Sequence, residues 1–293
     1  MSRFVDLLAA GLIFGAVYAL LSIGVVVIYR VSRVINLAHG AMGVFTTYVF
    51  HYVFVGDLGL PVGVAWPLTL LLGALVGVLV ERLFISPIRN EGAVRTLVMT
   101  IGVLLVLTEL TYQLWNPQPV VISSIFSDRT LSLFGTAVTI HQLGTAAIVV
   151  VLGVVLEFVL RRTRYGAAIE CIAEDPGAAR IIGLPVRRLT TATWAVGGAT
   201  AALAGLLYIH LNSLDQVSLT FVLISSLVAA VIGGFNNIGL AVAGSLGLGV
   251  AFSFGQGYVT TAGASDAVVF FALIVTLVLL PGRQESLEAR AEF

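Results

Sequence analysis

Charged residues are sparse and unevenly placed along this chain, and the uncharged runs between them predict its elements. Between Asp6 and Arg30, between Arg33 and Asp57, and between Asp57 and Glu81 lie 23 uncharged residues each. A helix that crosses a membrane needs about 20 mostly apolar residues, so these runs predict spans near 7–29, 34–55 and 60–80. A fourth span is predicted at about 96–115, interrupted by Glu109, and a fifth at about 142–160. One more lies between Arg188 and Asp215. The 50 uncharged residues between Asp215 and Asp266 hold two spans that turn at Gly233-Gly234-Phe235-Asn236-Asn237. The last, at about 266–280, is stopped by Pro281-Gly282. The expectation is an all-α, polytopic integral membrane protein, with about nine membrane-embedded helices forming a single domain over 1–293.

The segment 34–55 crowds Asn36, His39, Gly40 and Gly43 into its first half, a composition that weakens a helix. We expect a full span with a broken or unwound start. A re-entrant loop there would reverse every later segment and split the arginine clusters between the two sides of the membrane.

Composition agrees with a lipid environment. Soluble domains are about 45–50% apolar and roughly a quarter charged, whereas this chain is 59% hydrophobic and 10% charged, with a mean hydropathy of +1.06. The first uncharged run continues to Tyr29 and exceeds the ~7–15 apolar residues of a signal-peptide core, so a retained helix is expected in preference to a cleaved signal. The tail at 282–293 is too short to fold. Cys171 is the one cysteine, so no internal disulfide is available, and no Cys/His cluster offers a metal site. Nothing in the sequence points to nucleic acid.

The net charge is zero, yet all fifteen basic residues are arginine and none is lysine. A phosphate-binding P-loop requires lysine, so this chain holds no such nucleotide site; if ATP and Mg drive it, a partner subunit binds them. Under the nine-span reading, thirteen arginines fall on one side and two, Arg3 and Arg129, on the other. Because positive charge stays in the cytoplasm, the N-terminus is placed outside and the C-terminus inside.

The longest cytoplasmic loop, RRTRYGAAIECIAEDPGAARIIGLPVRR at 161–188, has a pattern of its own. Ile169, Ile172 and Ala173 fall on one helical face and Glu170 and Glu174 on the other, as in a short amphipathic helix. Asp175 suits an N-cap with Pro176 at the first helical position, and Gly183 followed by Pro185 suits a stop. Two short helices joined at Asp175 are predicted.

This loop resembles the coupling loop of ABC-importer permeases in its Tyr165-Gly166, Ala173-Glu174-Asp175 and Gly183. The whole chain resembles the branched-chain amino-acid ABC transporter permeases. The likeness rests on GAVYAL at 15–20, INLAHGAMG at 35–43, Glu81-Arg82 with Pro87-Ile88-Arg89, and AAVIGGFNNIGLAVAG at 229–244. It departs at Ala41, where an acidic residue is commoner, and at Asn236-Asn237-Ile238-Gly239, which replaces a Gly-Ser-x-x-Gly turn. Related permeases carry urea, short amides or other amino acids.

The resemblance implies an ABC-importer permease fold in a bacterial or archaeal cytoplasmic membrane. It also implies partners: cytoplasmic ABC ATPases, a second permease, homologous or identical, and an extracytoplasmic substrate-binding protein that docks near the outer loop at 116–142. ATPase coupling then falls to Tyr165, Gly166, Ile169, Glu170, Ala173, Glu174, Asp175 and Gly183. Asn36 and His39, three apart and expected to share a helix face, are candidates for the substrate pathway, since polar groups in the membrane usually point into protein or a water-filled cavity. Glu109, Ser225, Asn236 and Asn237 are further candidates. Glu109 is expected near the outer interface, where Gln113 or water meets it.

Two rival functions stand beside this one. An ion-coupled secondary transporter would use Glu109 or His39 to carry a proton, and the coupling loop counts against it. A membrane enzyme would use Ser245 as nucleophile and His210 as base, with nothing obvious to orient the histidine.

Overall fold

A computed structural model of the chain describes residues 2–89, 91–115, 130–133, 136–209, 215 and 218–258, together with 267, 270, 271, 274 and 275. Helix α1 (Ser2–Ser32) is apolar on all sides, and a helix of that kind belongs either in a core or in lipid. Here it is the core: every residue from 15 to 28 is buried among other helices.

After α1 the backbone unwinds over 33–38, and α2 (His39–Tyr48) continues as a π-helix over Val49–Asp57. Irregular backbone at membrane depth must satisfy its polar groups within the protein. Thr100 supplies part of this, accepting a hydrogen bond from the Leu37 N–H at 3.4 Å and donating to the Ile35 carbonyl at 3.4 Å. The segment 34–55 therefore has the broken start its composition predicted. Asn36, however, lies in the unwound stretch and shares no helix face with His39, because the helix begins only at His39.

Next come α3 (Val62–Val80), a π-helical turn at Glu81–Ile85, the short α4 (Ser86–Ile88) and α5 (Ala93–Trp115). The strands β1 (Thr130–Leu133) and β2 (Thr136–Thr139) pair antiparallel, from Thr130 opposite Thr139 to Leu133 opposite Thr136. This short hairpin sits in a connecting segment of a chain that is otherwise helical, as expected. It lies between α5 and α6, where runs of Thr, Leu and Val separated by a two-residue connection favour strands. The rest of 116–129 is outside the described residues.

Helix α6 (Ile140–Arg162) opens on a capping box: the Gln142 N–H donates to Thr139 Oγ1 and the Thr139 N–H to Gln142 Oε1. Then follow α7 (Arg164–Glu174), α8 (Pro176–Ile181), α9 (Val186–Tyr208), α10 (Ser218–Ile232) and α11 (Ile238–Tyr258). Eight of the nine predicted spans thus have a helix, and of the ninth, at 266–280, only 267, 270, 271, 274 and 275 are among the described residues. The boundaries differ from expectation because charged residues join helix ends. Arg161 and Arg162 close α6, and Arg187 and Arg188 open α9, so the loop proper runs from 163 to 185.

Among the described residues five helical stretches are long and apolar enough to cross a membrane: Arg3–Ser32, Val62–Ile88, Ala93–Trp115, Gln142–Arg162 and Ile238–Tyr258. Small residues let the inner ones meet, as expected where lipid supplies no hydrophobic drive between helices. A methyl group added at Gly11, Gly15 or Gly249 would overlap the facing backbone in the α1–α11 seam. Gly73, Gly77 and Gly198 hold α3 against α9 in the same way, and Gly43 and Gly205 hold α2 against α9. Helices α5 and α6 lie outside this core, with Leu105, Val106, Val151, Val154 and Phe158 exposed.

Candidate functional site

The arginine-rich loop folds as two short helices joined at Asp175. Oδ1 of Asp175 accepts from the Gly177 N–H at 2.7 Å and the Ala178 N–H at 3.0 Å, with Pro176 as the first helical residue. At the other end of α8, Gly183 takes a φ of +85°. The Gly183 N–H donates to the Arg180 carbonyl and the Leu184 N–H to the Ala179 carbonyl, the paired bonds of a Schellman stop.

The loop's inner face is apolar. Ile169 and Ile172 of α7, Ala179 of α8 and Val186 of α9 share one buried cluster with Val27 and Val31 of α1 and Leu160 of α6. Gly166 lies so close to the last turn of α6 that an added methyl would collide with the Leu160 carbonyl. The outer face is mixed: Tyr165, Glu170, Glu174, Asp175 and Gly183 are exposed together with Ile181 and Ile182, and Ala173 is half-buried. The eight candidate coupling residues therefore divide. Gly166 and Ile169 anchor α7, and the others face outward.

Beside α7 is an open cleft of about 600 Å³, lined by residues that include Arg30, Arg33, Arg161, Glu170, Glu174 and Asn236. The turn between α10 and α11 forms part of its wall. Arg30 donates to the Asn236 carbonyl, and Phe235 lies over Tyr29 with ring centroids 4.5 Å apart. Phe235 has a φ of +54°, a conformation uncommon for a bulky residue, so contacts to the end of α1 hold this turn in shape. The Leu240 N–H donates to Asn237 Oδ1 at 3.0 Å, at the start of α11.

The pathway candidates do not form one group. Asn236 and Asn237 sit at the arginine end beside α7. Glu109 accepts from Gln113 Nε2 at 2.6 Å on an exposed face of α5, the partner its sequence position suggested, but it points away from the helical core. Ser225 is buried on α10. Asn36 and His39 are close neighbours and fully buried. The Ala38 N–H donates to Asn36 Oδ1 at 3.1 Å, and the His39 ring abuts Gly24 of α1 and Thr200 of α9, with no hydrogen-bond partner for either ring nitrogen among the described residues. Of the residues proposed for an enzyme, Ser245 is buried and donates to the Ala241 carbonyl within its own helix at 2.8 Å. His210 is outside the described residues.

One polar cluster had no role assigned from sequence. The Glu81 side chain is fully buried at the π-helical end of α3, 2.8 Å from Arg89, and Oε2 accepts from Thr191 Oγ1 of α9 at 2.9 Å. Glu81 and Arg89 stood out as motif residues, but Thr191 lies 110 positions away from Glu81 and sits in a run of ordinary threonines. Among the described residues no group of His, Cys, Asp and Glu has the arrangement of a metal site.

The family described as "Branched-chain amino acid transport system / permease component" matches residues 7–278. The high-affinity branched-chain amino acid transport system permease protein LivH of Salmonella typhimurium is 27% identical over 283 residues, 92% of each chain. The corresponding protein BraD of Pseudomonas aeruginosa is 25% identical over 291 residues, covering 95% of this chain and 94% of its own. A probable LivH of the archaeon Methanocaldococcus jannaschii is 24% identical over 245 residues, 81% of this chain and 76% of its own.

Proposed function

Given that the chain belongs to the branched-chain amino acid transport permease family, matched over 7–278, we propose that it forms the substrate pathway of an ATP-driven importer of branched-chain amino acids. It is a multi-pass membrane protein and a transport permease subunit. On our reading its arginine end faces the cytoplasm, its N-terminus lies outside, and cytoplasmic ATPases dock on the outer face of α7 and α8. A second permease completes the pathway, and a binding protein delivers substrate near the hairpin.

The observation that carries this reading is the construction of the loop: a capped two-helix element, apolar where it meets α1 and α9, with Glu170, Glu174 and Asp175 exposed beside Ile181 and Ile182 where it faces away. Such an element couples two bodies. A partner that grips Glu170, Glu174 and Asp175 moves α7 as a unit, and Ile169 and Ile172 pass that motion to the end of α1. Helix α8 leads through Gly183 into α9, which Thr191 ties to Glu81 of α3. ATP binding by the partner shifts the pathway only as far as its affinity differs between the inward-open and outward-open states.

Uptake in vesicles tests the proposal. The chain, the second permease, their ATPases and the binding protein are reconstituted with labelled leucine outside and ATP inside. Accumulation that requires ATP and all components is expected. Accumulation by the chain alone, driven by a proton gradient and indifferent to the ATPases, would contradict it and favour the ion-coupled alternative.

A further inference from the structure

Away from the cleft beside α7, Ser86, Arg89, Arg180 and Arg187 surround a second pocket of about 150 Å³. Three elements meet there: the turn after α3, the last turn of α8 and the first turn of α9. Arg89 is paired with Glu81, whereas Arg180 and Arg187 have no carboxylate partner among the described residues. Two uncompensated guanidinium groups around one small space repel each other, and an anion between them relieves that repulsion. The planar forks of arginine match the oxygens of a phosphate, and the Ser86 hydroxyl adds a further donor.

The neighbouring surface indicates where the phosphate comes from. Leu68, Leu71, Leu75, Leu79 and Leu83 follow one another at helical spacing along α3 and its π-helical extension, all 36 to 67% exposed. This leucine ridge ends one turn before Ser86. A strip of hydrocarbon surface leading to an arginine pocket fits an acyl chain joined to a charged headgroup, and basic pockets at the cytoplasmic ends of spanning helices take anionic lipid headgroups in this way. A space of about 150 Å³ holds a single group about the size of benzene, which suits one headgroup phosphate.

We propose that the pocket formed by Ser86, Arg89, Arg180 and Arg187 binds the phosphate of an anionic phospholipid whose acyl chain lies along the α3 leucine ridge. The lipid then bridges α3, α8 and α9 at the arginine end, on the α8 side of the coupling loop.

Native mass spectrometry of the purified full chain, titrated with phosphatidylglycerol or phosphatidylcholine, tests this without reference to transport. Wild-type protein should hold phosphatidylglycerol in clear preference to phosphatidylcholine. The double variant Arg180→Gln/Arg187→Gln should weaken that retention on the order of tenfold, and millimolar inorganic phosphate should not displace the lipid. The wild-type comparison stands even if the variant unfolds, and Arg180→Lys/Arg187→Lys, which keeps the charge but not the forks, should retain part of the preference. Equal retention of both lipids overturns the proposal, as does a preference that survives in the glutamine variant. So does displacement by free phosphate, which would make this a soluble-anion site. A glutamine variant that keeps the lipid but loses its ATPases also overturns it, because the arginines would then receive carboxylates of the partner.

Discussion

At the residue scale, the two features with the sharpest consequences are Glu81 and Gly183. Glu81 is a fully buried carboxylate held by Arg89 and Thr191, and removing one member of a buried ion pair costs about 3–5 kcal/mol because the other charge is left uncompensated. Arg89 keeps 22% of its side chain exposed, so Glu81→Gln should fall at the low end of that range and lower the thermal unfolding midpoint of the purified protein. An unchanged midpoint would mean that the cluster holds nothing together. Gly183 occupies the left-handed region, where other residues cost roughly 1–2 kcal/mol. Gly183→Ala should therefore loosen the α8–α9 junction, seen as faster amide exchange over 176–186 with the spanning helices unchanged. Gly183 and Asp175 were legible in the sequence because caps are made by neighbours. The partnership of Glu81 with Thr191 was not, since it joins elements that only the folded chain brings together. The same holds for His39: its neighbours Gly24 and Thr200 come from two other helices, and its expected alignment with Asn36 assumed a helix that has not yet begun at that point.

At the element scale, the uncharged runs located the helices well because the requirement they report is intrinsic: about 20 residues must pass through hydrocarbon whatever the neighbours do. Helix pairing is a different matter. Glycines are spread through the chain, and the sequence does not distinguish those that face a neighbour from those that do not. A methyl at Gly247 would meet nothing, whereas one at Gly77 would collide with the Trp194 carbonyl and one at Gly198 with the Gly73 carbonyl. Gly77→Leu should therefore force α3 from α9 and cut the yield of folded protein, while Gly247→Leu should insert and purify like wild type; equal yields would contradict the assigned seam. The π-helical segments at Val49–Asp57 and Glu81–Ile85 were also invisible, because apolar sequence permits α and π winding alike and tertiary contacts choose between them. The hairpin at 130–139 was hidden in a loop whose polarity and length announced structure without its type.

At the scale of the whole molecule, a buried helix, α1, is held on one side by α11 and on others by α9 and α10, and its arginine-rich end is gripped by the loop helix α7. Arg3 lies at the far end against Gly257 and Tyr258, while Arg30, Arg33, Arg89, Arg161, Arg180 and Arg187 gather around the two pockets of the near end. Asn236 and Asn237 lie at this arginine end, beside the loop. The central claim is that the outer face of α7 and α8 receives the ATPases. The most direct test reconstitutes the chain with its ATPases and measures ATP hydrolysis with and without substrate-loaded binding protein, comparing wild type with Glu174→Arg and Gly183→Arg. The account predicts stimulated hydrolysis for wild type, and for both variants normal insertion with loss of the ATPases on purification and loss of stimulation. Retention of the ATPases and full stimulation in both variants would contradict it and reduce the loop to a connector.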